Sequence, residues 1–265
     1  MSTRELGIAP LSALNTSPDE FIYLAHEVGF DFVGLRVIPV TPNEPHYDLS
    51  LGSDLHKKVH KALADTGLKV KDAEFILLDG SNKRDVWMTA MERAASFSAA
   101  TLTVAVGDSD RQRTIDTVAA MVEAGKDFGI TPAIEPISYQ AVNDIASAVD
   151  IAVNGSFFLP DTLHMHRFGA SPQLLADASS HVTMMQICGV EPSRPEDREG
   201  LVHESRAHRL APDEGASDVA GYIRALPPDI PISVEAPNDI FVQERGTKAW
   251  LEHLHKAGRK LSAAP

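Results

Sequence analysis

The sequence has almost no cysteine. Cys188 is its single thiol, so no internal disulfide can staple the fold, and a reducing cytoplasm is the compartment this usage suggests. It has no run of about 18 or more apolar residues, which excludes an ordinary transmembrane helix and a membrane partner. The opening stretch, Met1 to Pro10, lacks the long apolar core of a signal peptide and reads as a short polar lead into a strand. Positive charge is in deficit: 24 Lys and Arg stand against 37 Asp and Glu, a formal charge of −13. A polyanion repels phosphate backbones, which argues against nucleic acid as the main partner. Solubility is the plain reading of that charge. The sequence shows no repeat and no low-complexity segment. It also lacks a glycine-rich turn after the first strand candidate, which runs into Ala9-Pro10-Leu11-Ser12. Without G-x-G-x-x-G, the dinucleotide fingerprint of an open doubly wound sheet is missing.

What is there is alternation. Short apolar runs at Leu6–Ala9, Phe32–Arg36, Lys69–Phe75, Leu102–Val106, Thr131–Glu135, Phe157–Asp161, Val182–Cys188 and Ile230–Glu235 read as eight strands. Amphipathic stretches separate them. Pro18–Gly29 follows a Ser17 cap and Asp54–Thr66 follows Ser53. Lys83–Ala99, Asp110–Phe128, Ser138–Val153, Ser171–Ala178, Ala216–Ala225 and Phe241–Gly258 complete the helices. Gly29, Gly67, Gly129 and Gly258 stand where left-handed C-caps favour glycine. Strand–helix alternation means parallel strands joined by helical crossovers. Eight such units in 265 residues match a (β/α)8 TIM barrel, an α/β fold, as one domain over residues 1–265. One long polar segment, Gly189 to Asp213, follows the seventh strand; a loop that long inside a compact domain is usually functional. A helical piece around Glu199 to His208 is an even choice against irregular loop.

Chemistry in this fold lies at the C-terminal ends of the strands. Glu135, Asp161, Gln186 and Glu235 all fall there. Side-chain alternation turns Ser233 and Glu235 one way and Ile232 and Val234 the other. It likewise separates Gln186 from Met185 and Ile187, and Glu135 from Ile134. The aliphatics can face the helices while four oxygen-bearing side chains converge on the axis. Three buried carboxylates in one place need protons or a cation, and one divalent metal ion is the simplest answer. Hard oxygen ligands favour Mn2+ or Mg2+ over zinc. In the polar cluster Asp161-Thr162-Leu163-His164-Met165-His166-Arg167, His164 is the candidate to touch substrate, and His166 reads as a loop residue.

These residues resemble the xylose isomerase-like barrel superfamily. The resemblance is carried by Ile134-Glu135-Pro136, Asp161-x-x-His164, Gln186 and Val234-Glu235. Arg209-Leu210-Ala211-Pro212-Asp213-Glu214-Gly215 looks like the family's R-x-x-P-G-E-G loop. The family includes sugar epimerases, inosose dehydratases, 3-dehydroshikimate dehydratases and endonucleases acting at abasic sites. The resemblance implies Glu135 and Glu235 as metal ligands that also flank the substrate as acid and base. Asp161 and Gln186 would complete the metal site, with His164 and Arg209 on substrate oxygens, in a homo-oligomer. Two positions depart from the pattern. Gln186 stands where histidine is usual and is similar to the 3-dehydroshikimate dehydratase branch. Asp213 stands where glycine is common. The extra histidines of the nuclease branch are missing from strands one to four.

Three functions follow as expectations. The first is metal-dependent isomerisation or epimerisation of a small polyhydroxy ketone through an enediolate, with Glu135 and Glu235 as the acid/base pair. The second is a lyase that dehydrates a 3-dehydroshikimate-like or inosose-like ketone after the same first step. The third is a non-catalytic ligand-binding barrel. Arg36 and Glu74 are further pocket candidates, with a structural ion pair as the competing reading of each. Trp87 and Trp250 read as packing residues, His253 and His255 as helix-dipole partners, and Cys188 as core. No phosphate-cradling glycine loop is evident, which favours an unphosphorylated substrate.

Overall fold

The computed structural model describes residues 4–41, 44–81, 83–152 and 155–263. The chain alternates as β1 (Leu6–Ile8), α1 (Pro18–Val28), β2 (Phe32–Arg36), α2 (Asp54–Thr66), β3 (Lys69–Leu78), α3 (Arg84–Ser96), β4 (Thr101–Val106), α4 (Arg111–Phe128) and β5 (Thr131–Glu135). It continues through α5 (Ile145–Ala152), β6 (Phe157–Phe158), α6 (Thr162–Phe168), α7 (Pro172–Asp177), β7 (Met185–Ile187), α8 (Arg198–Ala207), α9 (Val219–Ala225), β8 (Ile232–Val234), α10 (Asp239–Arg245) and α11 (Thr247–Ser262). All strand pairs are parallel, in the order β6-β5-β4-β3-β2-β1-β8-β7. Between β6 and β7 the ladder gives way to two isolated parallel bridges, Phe158 to Val182 and Asp161 to Gln186. They bring the two ends of the sheet together, as a (β/α)8 barrel requires.

Two apolar layers build the barrel. The larger lies between sheet and helices and takes outward residues such as Ile134, Ile187, Ile232 and Val234. The smaller plugs the barrel's lower interior with Phe32, Ala133, Leu159 and Met184. Ala133, Leu159 and Met184 lie two residues before Glu135, Asp161 and Gln186. One strand face therefore carries an apolar floor and, one pleat higher, the polar cluster.

Several elements differ from the sequence reading. Gly29, Gly67 and Gly129 cap α1, α2 and α4 in left-handed conformation, but Gly258 lies within α11 and packs on Leu6 and Val234. A Cβ there would come within 2.9 Å of Leu6 Cδ1, so close helix–strand packing explains that glycine. The helix expected over Phe241–Gly258 is broken at Gly246, whose φ of 86° and ψ of 157° divide α10 from α11. The helix expected from Ser138 begins at Ile145, and its expected end at Val153 lies outside the described residues. Met1 to Thr3 of the expected polar lead also lie outside them. The segment after β7 does contain a helix, α8, N-capped by the Asp197 carboxylate.

Candidate active site

The strand ends bring Glu135, Asp161, Gln186 and Glu235 together in a buried cluster, each 5% exposed or less. One oxygen from each of Glu135, Asp161 and Glu235 lies within 4.8 Å of the others. Asp161 is held by its own chain: Oδ1 accepts the N–H groups of Leu163 (2.8 Å) and His164 (3.1 Å), capping α6. Gln186 Nε2 donates to Glu235 Oε1 at 2.9 Å and reaches Glu74 Oε1 at 3.5 Å. Two carboxylate acceptors on that side fix the amide's orientation. The Gln186 Oε1 is then buried without a hydrogen-bond partner among the described residues.

Arg209 stands at the centre of this cluster, 1% exposed. Its Nη1 donates to Asp161 Oδ2 (2.7 Å) and to the Glu235 carbonyl (3.0 Å). Nη2 lies 2.9 Å from Glu235 Oε2, and Nε donates to the Ser205 carbonyl at 2.7 Å. The resemblance implied Arg209 on substrate oxygens; it lines the cavity, and its guanidinium spans two carboxylates. The loop behind it explains how it is held. Leu210 and Gly189 exchange backbone hydrogen bonds, and Gly215 bridges to Val190. A Cβ on Gly189 would lie 2.3 Å from the Ala211 carbonyl oxygen, and Gly215 has φ +77° with the Val190 oxygen 2.1 Å from its own Cβ position. Both positions demand glycine. Asp213 does not have a positive φ, and its carboxylate pairs with Lys260 at 2.8 Å.

Electrostatics follow from burial. Burial, then the charge of Glu235, holds the Glu135 carboxyl well above the usual carboxylate range. Burial raises Glu235 too, against the pull of Arg209. Burial and the charge of Glu235 hold Glu74 well up. Asp161 goes the other way: burial works to raise it, but Arg209, His164 and its hydrogen bonds outweigh that and hold it low. One pleat below Glu74, Asp72 accepts the hydroxyls of Thr101 and Thr103, both at 2.8 Å, and burial pushes it up to about 7.

His164 is 1% exposed, with Nε2 3.8 Å from Glu135 Oε1. The Ser138 N–H points at its Nδ1 at 3.4 Å. A backbone N–H can only donate, so Nδ1 accepts and the neutral ring carries its proton on Nε2, toward Glu135. Burial pushes the imidazole down to about 4. Tyr139 packs edge-on against the ring at 5.6 Å.

A cavity of about 240 Å3 opens above the cluster. Glu135, Glu235, His164, Arg209, Arg36 and Glu74 line it, while Asp161 and Gln186 lie beneath its walls. Tyr139, Gln140, Phe75 and Leu11 line it from other loops and strands, and one further wall is α8, through Arg198, Val202, Ser205 and Arg206. A buried pair fixes that wall: Arg167 Nε donates to Glu204 Oε2 at 2.8 Å. Sequence reasoning missed Tyr139, Ser205 and Arg206 because they sit on a loop and an inserted helix with no strand-end signal. His166 is half-buried on α6 and does not line the cavity. Trp87 and Trp250 are core. His253 and His255 find specific partners, Glu214 Oε1 at 3.1 Å and the Gly29 carbonyl at 3.0 Å. Burial pushes the Cys188 thiol up to about 12, which leaves it an inert core residue.

Comparison with known proteins agrees with this architecture. The family model of the xylose isomerase-like TIM barrel matches residues 22–257. The chain belongs to the xylose isomerase-like TIM barrel family. No curated protein matches it. Among solved structures it is similar to the IolI protein with a bound zinc atom, at TM-score 0.75 and 14% identity over 98% of each chain. It is similar to the probable 3-DHS dehydratase AsbF of Bacillus anthracis, at TM-score 0.73 and 13% identity, over 95% of this chain and 97% of that one. It is also similar to the 3-keto-D-glucoside 4-epimerase YcjR of E. coli, at TM-score 0.62 and 17% identity, over 94% and 98%. Identities this low show a shared fold. Among the described residues, no helix is long and apolar enough to cross a membrane.

Proposed function

We propose that this chain is a metal-dependent sugar isomerase or epimerase, built as one domain, that enolises a small polyhydroxy ketone. The observation that carries the reading is the convergence of three buried carboxylates within 4.8 Å beneath a cavity sized for one small molecule. The residues fit a divalent cation. Arg209 offsets part of the charge of Asp161 and Glu235, yet Glu135 and Glu74 stay buried beside them, and Gln186 Oε1 has no donor. Glu135, Asp161, Glu235 and the Gln186 oxygen would hold the ion. All four are hard oxygen ligands, which supports Mn2+ or Mg2+; the similar IolI structure carries zinc. A bound ion would supply Lewis acidity toward the substrate carbonyl.

The chain's own residues supply the rest. Glu135 and Glu235 reach the cavity from β5 and β8, so one can take the proton next to the carbonyl while the other returns it. Burial raises both above the usual carboxylate range, which favours the protonated form that returns a proton. His164, neutral and protonated on Nε2, can donate to an oxygen that gains charge. Arg209 fixes the Asp161 and Glu235 carboxylates in place. The wall formed by α8 covers the bound ketone and keeps water from it. Dehydration is the second reading: the same enediolate would expel a β-hydroxyl, and Gln186 and the likeness to AsbF favour it. The lone buried thiol supports a cytoplasmic setting.

The test combines metal analysis with proton exchange. The purified protein is assayed for bound metal and then incubated in D2O with ketoses, inososes and 3-dehydroshikimate, with Mn2+ or Mg2+ or with EDTA. Deuterium entering next to a carbonyl only with metal, and lost in Glu135→Gln and Glu235→Gln, is the expected result. An epimer or a dehydrated product then separates the two readings. Absence of metal binding at excess ion would refute the ligand set and bring the non-catalytic barrel forward.

A further inference from the structure

Arg36 is a cavity residue that this chemistry does not use. It ends β2, is 8% exposed, and its guanidinium carbon stands 5.6 Å over the Phe75 ring. Its Nε and Nη1 are buried and have no hydrogen-bond partner among the described residues. Two carboxylates stand off from it. Glu74 Oε2 is 3.5 Å from Nη2 and Glu44 Oε2 is 4.0 Å from Nε, and neither contact is a hydrogen bond. Glu44 is engaged elsewhere, accepting from Arg206 and from the Val40 N–H at 3.0 Å. A buried guanidinium with unmade hydrogen bonds calls for a further acceptor. The rim beside it is also cationic: Arg198 and Arg206 line the same cavity, and Arg198 makes no ion pair among the described residues, its guanidinium lying 5.7 Å over Tyr139.

We propose that Arg36 is the seat of a substrate carboxylate, so that the site takes a carboxylated polyhydroxy ketone in preference to a neutral sugar. The ketone half of this statement rests on the enolising function proposed above; the carboxylate half rests on Arg36. A hydroxyl offers one oxygen and no charge, whereas a carboxylate offers two oxygens matched to the planar guanidinium. Glu74 gives one oxygen to Arg36 and the other to Gln186, each at 3.5 Å. One side chain therefore separates the carboxylate seat from the acid cluster, and the ligand's carboxylate and carbonyl lie close along a short carbon frame. Arg36 is a specificity-determining residue in this scheme, with Arg198 drawing the anion in from the rim.

The experiment is equilibrium binding by calorimetry, on the metal-supplemented and the EDTA-treated protein, with probes matched except for charge. Quinate is compared with myo-inositol, and gluconate with glucitol. The expected result is at least a tenfold preference for each carboxylated probe, about 1.4 kcal/mol. Arg36→Gln should collapse that ratio toward one, and Arg36→Lys should restore part of it. The melting temperature of each variant controls for folding, and Arg198→Gln provides a second, exposed position that should weaken the preference without touching the core. Equal affinity within each pair overturns the proposal. So does a ratio unchanged in Arg36→Gln, no saturable binding of either carboxylated probe, or displacement of quinate by inorganic phosphate at equal concentration. If the carboxylate preference holds while no ketone exchanges deuterium, the anion seat stands and the enolising function fails. If neutral ketones exchange as fast as carboxylated ones, the enolising function stands and the anion seat fails.

Discussion

Replacing Arg209 with methionine tests the electrostatic core of the site. The change keeps most of the side chain's length and removes its charge. It deletes the donations to Asp161 Oδ2 at 2.7 Å, the Glu235 carbonyl at 3.0 Å and the Ser205 carbonyl at 2.7 Å, with the pairing to Glu235 Oε2 at 2.9 Å. Summing charged hydrogen bonds at about 1.5–3 kcal/mol each would overstate the loss. Asp161 keeps two backbone donors, and a carboxyl left without its cation can take up a proton. Removing one partner of a buried pair costs about 3–5 kcal/mol, or roughly 6–20 °C in melting temperature at about 2–4 °C per kcal/mol for a chain near this size. The loss should depend on pH. In the wild type Asp161 is held low by Arg209, so its contribution is present above the ordinary carboxylate pKa and lost as pH falls through the lower folded value. In the variant that contribution is gone, and Asp161 and Glu235 rise. The unfolded chain then binds fewer protons than the folded one, and stability declines as pH climbs through the ordinary carboxylate range. The deficit should thus be larger at pH 8 than at pH 5. Urea denaturation followed by circular dichroism, with EDTA present, measures it. A loss below about 1 kcal/mol at pH 8, or a deficit independent of pH, would refute the reasoning. The Asp161→Asn partner should cost less in the Arg209→Met background than alone, which a double-mutant cycle reads directly.

Two further outcomes are expected. Asp72→Asn should stabilise the protein at pH 8 and change little at pH 4, because the wild-type carboxyl, held at about 7 against an ordinary 3.8, loses stability as pH rises across that interval; the ceiling is about 4 kcal/mol at 1.36 per unit, and urea midpoints at the two pH values check it. His164 should stay neutral on Nε2–H down to pH 5, since burial pushes it down to about 4; nitrogen-15 spectra of the imidazole that titrate near 6.5 would contradict the tautomer and its role as a neutral donor.

Much of the site was legible because barrel strands obey a two-residue period. Glu135, Gln186 and Glu235 could be aligned on one face from spacing alone, with the apolar residues between them marking the other face, and Asp161 was placed by its position at a strand end. The pocket-lining position of Arg36 followed from its place at a strand end. What the period could not give was the direction of long side chains outside the strands. Arg209 lies in a loop, and only the fold shows it turned inward onto Asp161 and Glu235. Helix α8 has no partner signal in the sequence; the buried Arg167–Glu204 pair that fixes it joins residues 37 apart. Helix α6 was hidden for another reason. Its seven residues are too few for an apolar stripe, and the cap that starts it is Asp161, already assigned to the site. Gly246 misled in the opposite sense, since an interrupted apolar pattern across two helices looks continuous in the sequence.

The hoop of the barrel is fastened at one place by a clasp. Seven strand contacts are ladders, but among the described residues β6 and β7 are paired through isolated bridges, Phe158–Val182 and Asp161–Gln186. Asp161 and Gln186 are therefore the buckle of the hoop and, in the proposed function, two of the four residues that would hold a cation. A cation bound there would close the ring as well as the site, and its free energy of binding would add to the stability of the folded ring. Without a ligand, that point is held by the pair of bridges, by the Thr162 hydroxyl, which accepts the Cys188 N–H at 2.8 Å and donates to the Cys188 carbonyl at 2.9 Å, and by Arg209. An opened buckle would expose two sheet edges at once, the kind of surface on which chains pair with one another.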